Sequence, residues 1–372
     1  MRKTGFAELP LHRGHAPRWL FSRMVRLGRC LLEALIDEGG PRAVLTRLAD
    51  PCWFQALSCV LGYDWHSSGT TTVTCAALKA ALRPEVHGIA AAGGKGRVAK
   101  KTPAEIEGIG KTFDWSAEQI DAMKYASKMS AKVDTAAIQA GYPLYHHAVI
   151  VDEAGGWAVI QQGMNPDDGT ARRYHWLSDH VASFVVEPHD AIVGDRWKPR
   201  VLDMTAHASE GSRRATIDLI NDGPERLRRR LLAPQISGQR VLSDWMDGRA
   251  GVNDTPIRGL VMPRSINWTA LKTVYAFKPQ SYEELLAFKG VGPATIRGLA
   301  FIAEVLYGET PSWTDPVKFS FCVGGKDGVP FPVDKVAYDA IINVMSSVVE
   351  QAKMGKVERV HALKRLRGLV PP

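Results

Sequence analysis

Between Tyr145 and Trp176 the chain gathers most of the side chains that could make or break a bond: His146, His147, Asp152, Glu153, Gln161, Gln162, Asn165, Arg172, Arg173, Tyr174 and His175. A histidine and a carboxylate beside arginines and paired amides can hydrolyse a phosphodiester, hold a metal ion, or read a flipped base through its hydrogen-bonding edge. His147, Asp152 and His175 are the candidate catalytic groups, and Arg172 and Arg173 the candidate phosphate grips. Tyr145, His146, Gln161, Gln162, Asn165 and Tyr174 are the candidate readers of a base or nucleotide. Any one of them also suits a hydrogen-bonded polar core; as a set they demand many partners, because buried unpaired polar groups are costly. No HExxH-like spacing is present, so no metal ligands can be assigned. Lys132, a little upstream, could form a Schiff base with an abasic sugar if a dry pocket depressed its pKa, and a surface salt bridge is its plainer role.

Two further stretches suit phosphate. Ser67, Ser68, Gly69 and Thr70 belong to a hydroxyl-rich segment, 64–74, that reads as a polar loop ahead of a helix, where backbone amides and hydroxyls bind anions. No GK[ST] follows, so this is not a P-loop, and a solvent-facing turn with helix caps fits equally well. Gly93-Gly94-Lys95-Gly96, followed by Arg97, Lys100 and Lys101, reads as a flexible basic loop, either a DNA-backbone contact or a mobile linker.

The elements that must position these groups can be read from periodicity and breakers. YHHAVIVDEAGGWAVIQQGMN is β-branched on both sides of Glu153-Ala154-Gly155-Gly156, which predicts a β-hairpin over Tyr145–Met164. Adjacent strand positions face opposite ways, so only one of each pair His146/His147 and Gln161/Gln162 can enter a given pocket. Helices are expected from Pro17 to about Glu38, after Asp50, over Ser116–Ala140, on the arginine-rich stretch from Thr205 to about Trp268, and over Lys335–Met354 before a basic tail. A short strand is expected at Phe184–Glu187. Ser281 with Glu284 forms a capping box, Gly290-Val291-Gly292 a turn, and Pro293 a helix start, so Ser281–Tyr307 predicts two helices joined by a glycine turn. The fold class is α+β, mostly α. Residues 1–204 are expected as an α+β region carrying catalysis, 205–270 as a helical connector, and 271–372 as a DNA-binding helical region.

Composition narrows the partners. Net charge is +8 and the pI about 9.2, which suits a polyanion without requiring one. Five cysteines with no CxxC pair argue against a zinc ribbon, an iron–sulfur cluster or a disulfide framework and point to a reducing cytoplasm. Arginines interrupt the N-terminal apolar run and no stretch approaches membrane length, so neither a signal peptide nor a membrane span is expected.

The segment SYEELLAFKGVGPATIRGLAFIAEVLY resembles the helix-hairpin-helix motif of DNA repair and recombination proteins, whose turn holds a backbone phosphate. That resemblance implies DNA-backbone contacts from Gly290, Gly292, Ala294, Thr295 and Arg297. GFAELPLHRGHAPRWL, DWHSSGTTTVT, LYHHAVIVDEAGGWAVIQQGMN, ARRYHW and PSWTDPVKFSFCVGGKDGVPFPVD look like the corresponding stretches of the prokaryotic family called domain of unknown function 763. This second resemblance spans nearly the whole chain, implies a compact architecture with a DNA connection, and supplies no catalytic residue. A third is narrower. In base-excision glycosylases of the endonuclease III type the motif is followed by a Gly/Pro-rich loop and an aspartate that supports N-glycosidic cleavage; the spacing from Gly290 makes Asp315 its counterpart. The lyase lysine of such enzymes falls here on Ile296, and GGKDG departs from their helical continuation.

The functional expectation is therefore a cytoplasmic, nucleoid-associated DNA repair enzyme of the base-excision class, with AP-lyase activity as an option, no cofactor assigned and a divalent metal ion left open. The alternatives are a phosphodiester-cleaving nuclease using a divalent ion, and a non-enzymatic DNA-binding accessory protein.

Overall fold

A computed structural model describes residues 16–63, 68–194, 197–232, 262–263, 266–317 and 335–367. Its centre is an antiparallel sheet of strands β1 (Ile89–Lys95), β3 (Leu144–Asp152), β4 (Trp157–Asn165), β5 (Thr170–Leu177) and β6 (Ala191–Gly194), in the order β1-β3-β4-β5-β6. A separate pair joins β2 (Ile138–Gln139) to β7 (Leu202–Asp203). The predicted β-hairpin is β3–β4. Its strands read as almost unbroken apolar runs because helices cover both faces of the sheet.

Parity decides which residue goes where. Ala148, Ile150, Ala158, Ile160 and Leu177 enter one core, called here the front, together with helices α1 (Arg18–Ala49), α2 (Pro51–Val60) and α3 (Ser68–Ala81). Val149, Val151, Val159, Tyr174 and Trp176 enter the back core with α5 (Thr102–Thr112), α6 (Ala117–Lys132) and α7 (Glu210–Asn221). Two short helices, α4 (Pro84–His87) and α8 (Pro224–Leu232), complete this part of the chain. The C-terminal part divides between the faces. Helices α9 (Trp268–Phe277), α10 (Tyr282–Ala287) and α11 (Pro293–Tyr307) pack in the back core through Leu271, Leu285, Ile296, Leu299 and Ala303. Helices α12 (Lys335–Gln351) and α13 (Lys356–Arg367) return to the front core through Met345, Val348, Ala362 and Leu366. The architecture is α+β and mostly α, as expected. No described helix is long and apolar enough to cross a membrane.

Several local expectations change. The first helix continues past Glu38 to Ala49, with a break at Gly40 and Pro41 where Gly40 takes φ 73°. The segment expected as a polar loop is already helical from Ser68, with Ser68, Thr70, Thr71, Thr72 and Thr74 buried against the sheet. Of the threonine hydroxyls that look solvent-facing in sequence, Thr71 bonds Gln162 of the sheet, Thr74 bonds Ser58 of α2 and Thr72 bonds the Gly69 carbonyl. Gly93, Gly94 and Lys95 are the end of β1, paired with Ala148, His147 and His146, rather than a free loop. Gly93 has φ 89°, and a Cβ there would lie 2.2 Å from the His147 carbonyl oxygen, so the close strand approach itself requires glycine. Residues 184–187 form no strand; the edge strand comes later, at Ala191–Gly194. The basic tail from Lys356 is helical.

Candidate functional site

Each consecutive pair of polar residues on the central strands is split between the faces. On the back face His147 donates through Nδ1 to Gln161 Oε1 (2.8 Å) and accepts through Nε2 from Ser127 Oγ (2.8 Å). Gln161 Nε2 in turn donates to Asp134 Oδ2, which also accepts from Trp176 Nε1 (3.1 Å), while His189 Nε2 meets Asp134 Oδ1. A π-helical turn at Val133–Ala137 carries Asp134 into this chain of bonds. Burial pushes the Asp134 carboxyl up, with His189 and the Trp176 bond acting the other way. Burial also pushes the His147 imidazole down to about 4, against the opposing Gln161 bond, so the ring is neutral at pH 7. Serine, histidine and carboxylate are thus linked through a glutamine, and all are buried.

The front face holds the other member of each pair. Gln162 Nε2 donates to the Ser68 carbonyl (2.8 Å) and to the Tyr145 hydroxyl, and Gln162 Oε1 accepts from Thr71 Oγ1. Tyr145 donates to the Ser68 carbonyl at 3.3 Å. A register shift between Leu144 and His146 marks a bulge, which lets Tyr145 reach the same partners as the front-facing Gln162. Deeper in, Arg173 Nε donates to His175 Nε2 (2.8 Å), His175 Nδ1 donates to the Leu48 carbonyl (3.2 Å), and the guanidinium lies over the Phe54 ring. Burial, then the Arg173 charge, holds His175 far below its ordinary value. His146 differs from all of these. It is 1% exposed and neither ring nitrogen has a hydrogen-bond partner. Burial, then His147 and Lys95, push it down to about 3, so it is a neutral imidazole with one donor and one acceptor stranded. Each stranded group costs on the order of 1–3 kcal/mol.

A third buried group lies beside the sheet. Arg172 makes a two-pronged ion pair with Asp315, NH1 to Oδ1 at 3.0 Å and NH2 to Oδ2 at 2.8 Å, and stacks over Tyr142. The backbone amides of Lys198 (2.7 Å) and Val317 (3.2 Å) bind the same carboxylate. Both Asp315 oxygens are therefore occupied inside the protein.

The glycine turn is held from below and open above. Ser281 Oγ caps α10 by accepting from the Glu284 amide (3.2 Å). Lys132 Nζ donates to the carbonyls of Phe288 (2.9 Å) and Val291 (2.5 Å), and burial, then Lys128, lowers its pKa. Gln139 bridges the Pro293 carbonyl (2.9 Å) and Arg297 NH1 (2.7 Å), so Arg297 is turned toward the sheet-bearing part. Gly290 has φ 89° and is exposed, as are Lys289 and Pro293; Ala294 is half-buried and Thr295 buried. Gly292 caps α11 without any side-chain hydrogen bond, and a Cβ on it would meet nothing within 4 Å. A cleft of about 380 Å³ beside the turn is lined by Tyr125, Lys128, Phe277, Glu284, Ala287, Phe288 and Lys289.

Most of the expected residues fall into four places. Ser68, Thr70, Tyr145, His146, Gln162, Arg173 and His175 share the front face. His147, Gln161 and Tyr174 lie on the back. Arg172 and Asp315 form the ion pair, and Gly290, Gly292, Ala294, Thr295, Arg297 and Lys132 make up or support the turn. Asp152 sits apart at the hairpin end, pairing with Arg42 (3.2 Å) and accepting from the Gly156 amide (2.7 Å). Asn165 caps its own turn through the Asp167 amide (3.0 Å). Gly69 is the second residue of α3, and Ser67 lies outside the described residues. His147, Asp152 and His175 are not brought together, and no group of three or more His, Cys, Asp or Glu among the described residues could hold a metal ion. Sequence reasoning passed over Ser127, Asp134 and His189 as site residues and noted Thr71 only as part of the hydroxyl-rich segment. Asp134 alone gave a signal, as a lone carboxylate in the apolar run VDTAAI.

A family model described as Protein of unknown function (DUF763) matches residues 5–333. The chain belongs to that family. The DUF763 match takes in every element of both polar networks, the Arg172–Asp315 pair and the glycine turn. No curated protein and no solved structure matches the chain.

Proposed function

We propose that this protein binds DNA, with the Gly290–Thr295 turn acting as a helix-hairpin-helix that holds backbone phosphate without reading sequence. The observation that carries the reading is the bare N-terminus of α11. A helix leaves its first amides without intrahelical acceptors, and Gly292 offers no side chain to satisfy them. Lys289 and Lys128 outnumber the one acid, Glu284, at the adjoining cleft, and the +8 net charge favours a polyanion. Lys132 and Gln139 brace the turn from beneath, which fixes the amides in place before any ligand arrives.

Binding is favoured over base excision because an aspartate that stabilises an oxocarbenium-like sugar must face the substrate. Asp315 instead faces Arg172 and two backbone amides. The nuclease alternative is disfavoured by the separation of His147, Asp152 and His175 onto different partners. The reading is tested by fluorescence anisotropy of the full chain with labelled duplexes of unrelated sequence. Affinity should be similar across sequences and fall steeply with salt, since each neutralised phosphate releases counterions. No detectable binding at low salt would reject it.

A further inference from the structure

The cleft beside the glycine turn is walled by aromatic rings from three places in the chain: Tyr125 of α6, Phe277 at the end of α9 and Phe288 directly after α10. Phe277 is 56% exposed, and its ring meets that of Phe288 edge to face with centroids 4.9 Å apart. An aromatic ring left in water forfeits most of the stabilisation its burial would bring. The other two rings are held in place, since Tyr125 and Phe288 both pack against the back core. Tyr125 also donates its hydroxyl to Glu283 (2.7 Å) and meets Phe184 edge to face, so its ring is fixed before anything binds. The one acid of the cleft, Glu284, is already engaged, its Oε2 accepting from the Gln280 amide (2.7 Å). Lys128, one turn along α6 from Tyr125, and Lys289, next to Phe288, are exposed and make no ion pair among the described residues. Two free ammonium groups thus flank a set of rings where the cleft adjoins the bare end of α11.

We propose that this cleft stacks an unpaired base of the DNA strand whose phosphate rests on the Gly290–Thr295 turn, so that the protein prefers DNA carrying unpaired nucleotides to continuous duplex. The proposal rests on the DNA reading of the turn and names the kind of DNA that the turn holds. A nucleotide joins a flat base to a phosphate, and rings beside free ammonium groups match both halves. In a continuous duplex each base is covered by its neighbours in the stack and by its pairing partner, so bringing it into the cleft costs unstacking and unpairing; an unpaired nucleotide avoids most of that cost. Aromatic faces accept every base, in keeping with a turn that does not read sequence. An apolar peptide would match the rings and leave the two ammonium groups without a counter-charge.

The test is fluorescence anisotropy of the full chain with three labelled probes: a continuous duplex, the same duplex with a short single-stranded overhang, and that overhang built of abasic nucleotides. The wild type should bind the overhang about tenfold more tightly than the continuous duplex, and the abasic overhang no better than the duplex. Phe277→Ala should abolish the preference, with an unfolding scan to show that the variant folds, as its exposed position implies. Lys128→Met, on a different helix, should reduce the preference severalfold. Gly292→Asp should weaken all three probes and keep their ratio. Equal wild-type affinities for overhang and duplex, or a preference that survives in the abasic overhang or in Phe277→Ala, overturn the proposal; if Gly292→Asp still weakens every probe, the DNA reading of the turn stands without it. Binding to none of the probes rejects the DNA reading and the proposal together.

Discussion

On the back of the sheet His147 is bonded at both ring nitrogens and joined through Gln161 to a buried aspartate; on the front its chain neighbour His146 is just as buried and has no partner at all. Both are neutral, both sit on β3, and both neighbour a glutamine of β4. The difference lies in what each face completes by itself. The back-face network is closed, with donor matched to acceptor from Ser127 to His189, and closed networks hold a fold together. Among the described polar side chains that the central strands send to the front face, His146 alone has no hydrogen-bond partner, and that opening costs stability.

The largest effect expected is at the ion pair. Asp315→Asn leaves Arg172 buried beside a neutral amide, and removing one partner of a buried pair costs about 3–5 kcal/mol. Urea unfolding should show that loss; a near-unchanged midpoint would mean that Arg172 finds another anion and that Asp315 was held in reserve. The two histidines come next. His147→Leu strands Ser127 and Gln161 and should cost about 1–3 kcal/mol, whereas His146→Leu should be neutral or stabilising. Equal losses in the two variants would erase the distinction between the faces. The pH dependence of stability gives a further check on His147. The unfolded chain takes a proton on His147 near its ordinary 6.5, while the folded ring resists until about 4. Between those values the unfolded state binds more protons, so the stability present above pH 6.5 is lost as pH falls through this window. In His147→Leu the slope of stability against pH there should be shallower by about one proton, measured by urea unfolding at a series of pH values.

Much of this was legible in the sequence, and the rest failed for identifiable reasons. The β3–β4 hairpin could be read from its β-branched runs, and the splitting of His146 from His147 from strand parity alone. The Ser281 cap could be read because capping depends on local order. The burial of Ser68–Thr74 was not legible, since hydroxyls read as solvent-facing until Gln162 and the sheet are placed against them. Asp315 drew attention by its spacing from Gly290, yet its partner Arg172 lies far away in sequence and only the fold brings them together. Lys95 was hidden for a similar reason, because Gly93-Gly94-Lys95-Gly96 looks like a flexible loop when the His147 backbone that needs those glycines is unseen.

The claim that most needs testing is that the bare N-terminus of α11 holds DNA phosphate. Gly292 sits in extended backbone with open space around its missing Cβ, so Gly292→Asp fits the fold and supplies the cap that α11 lacks. It also places a negative charge where the phosphate would bind. Duplex affinity of Gly292→Asp should fall at least tenfold at low salt while its Tm stays at or slightly above that of the wild type. Unchanged affinity in this folded variant would contradict the account and move DNA binding, if it occurs, away from the turn.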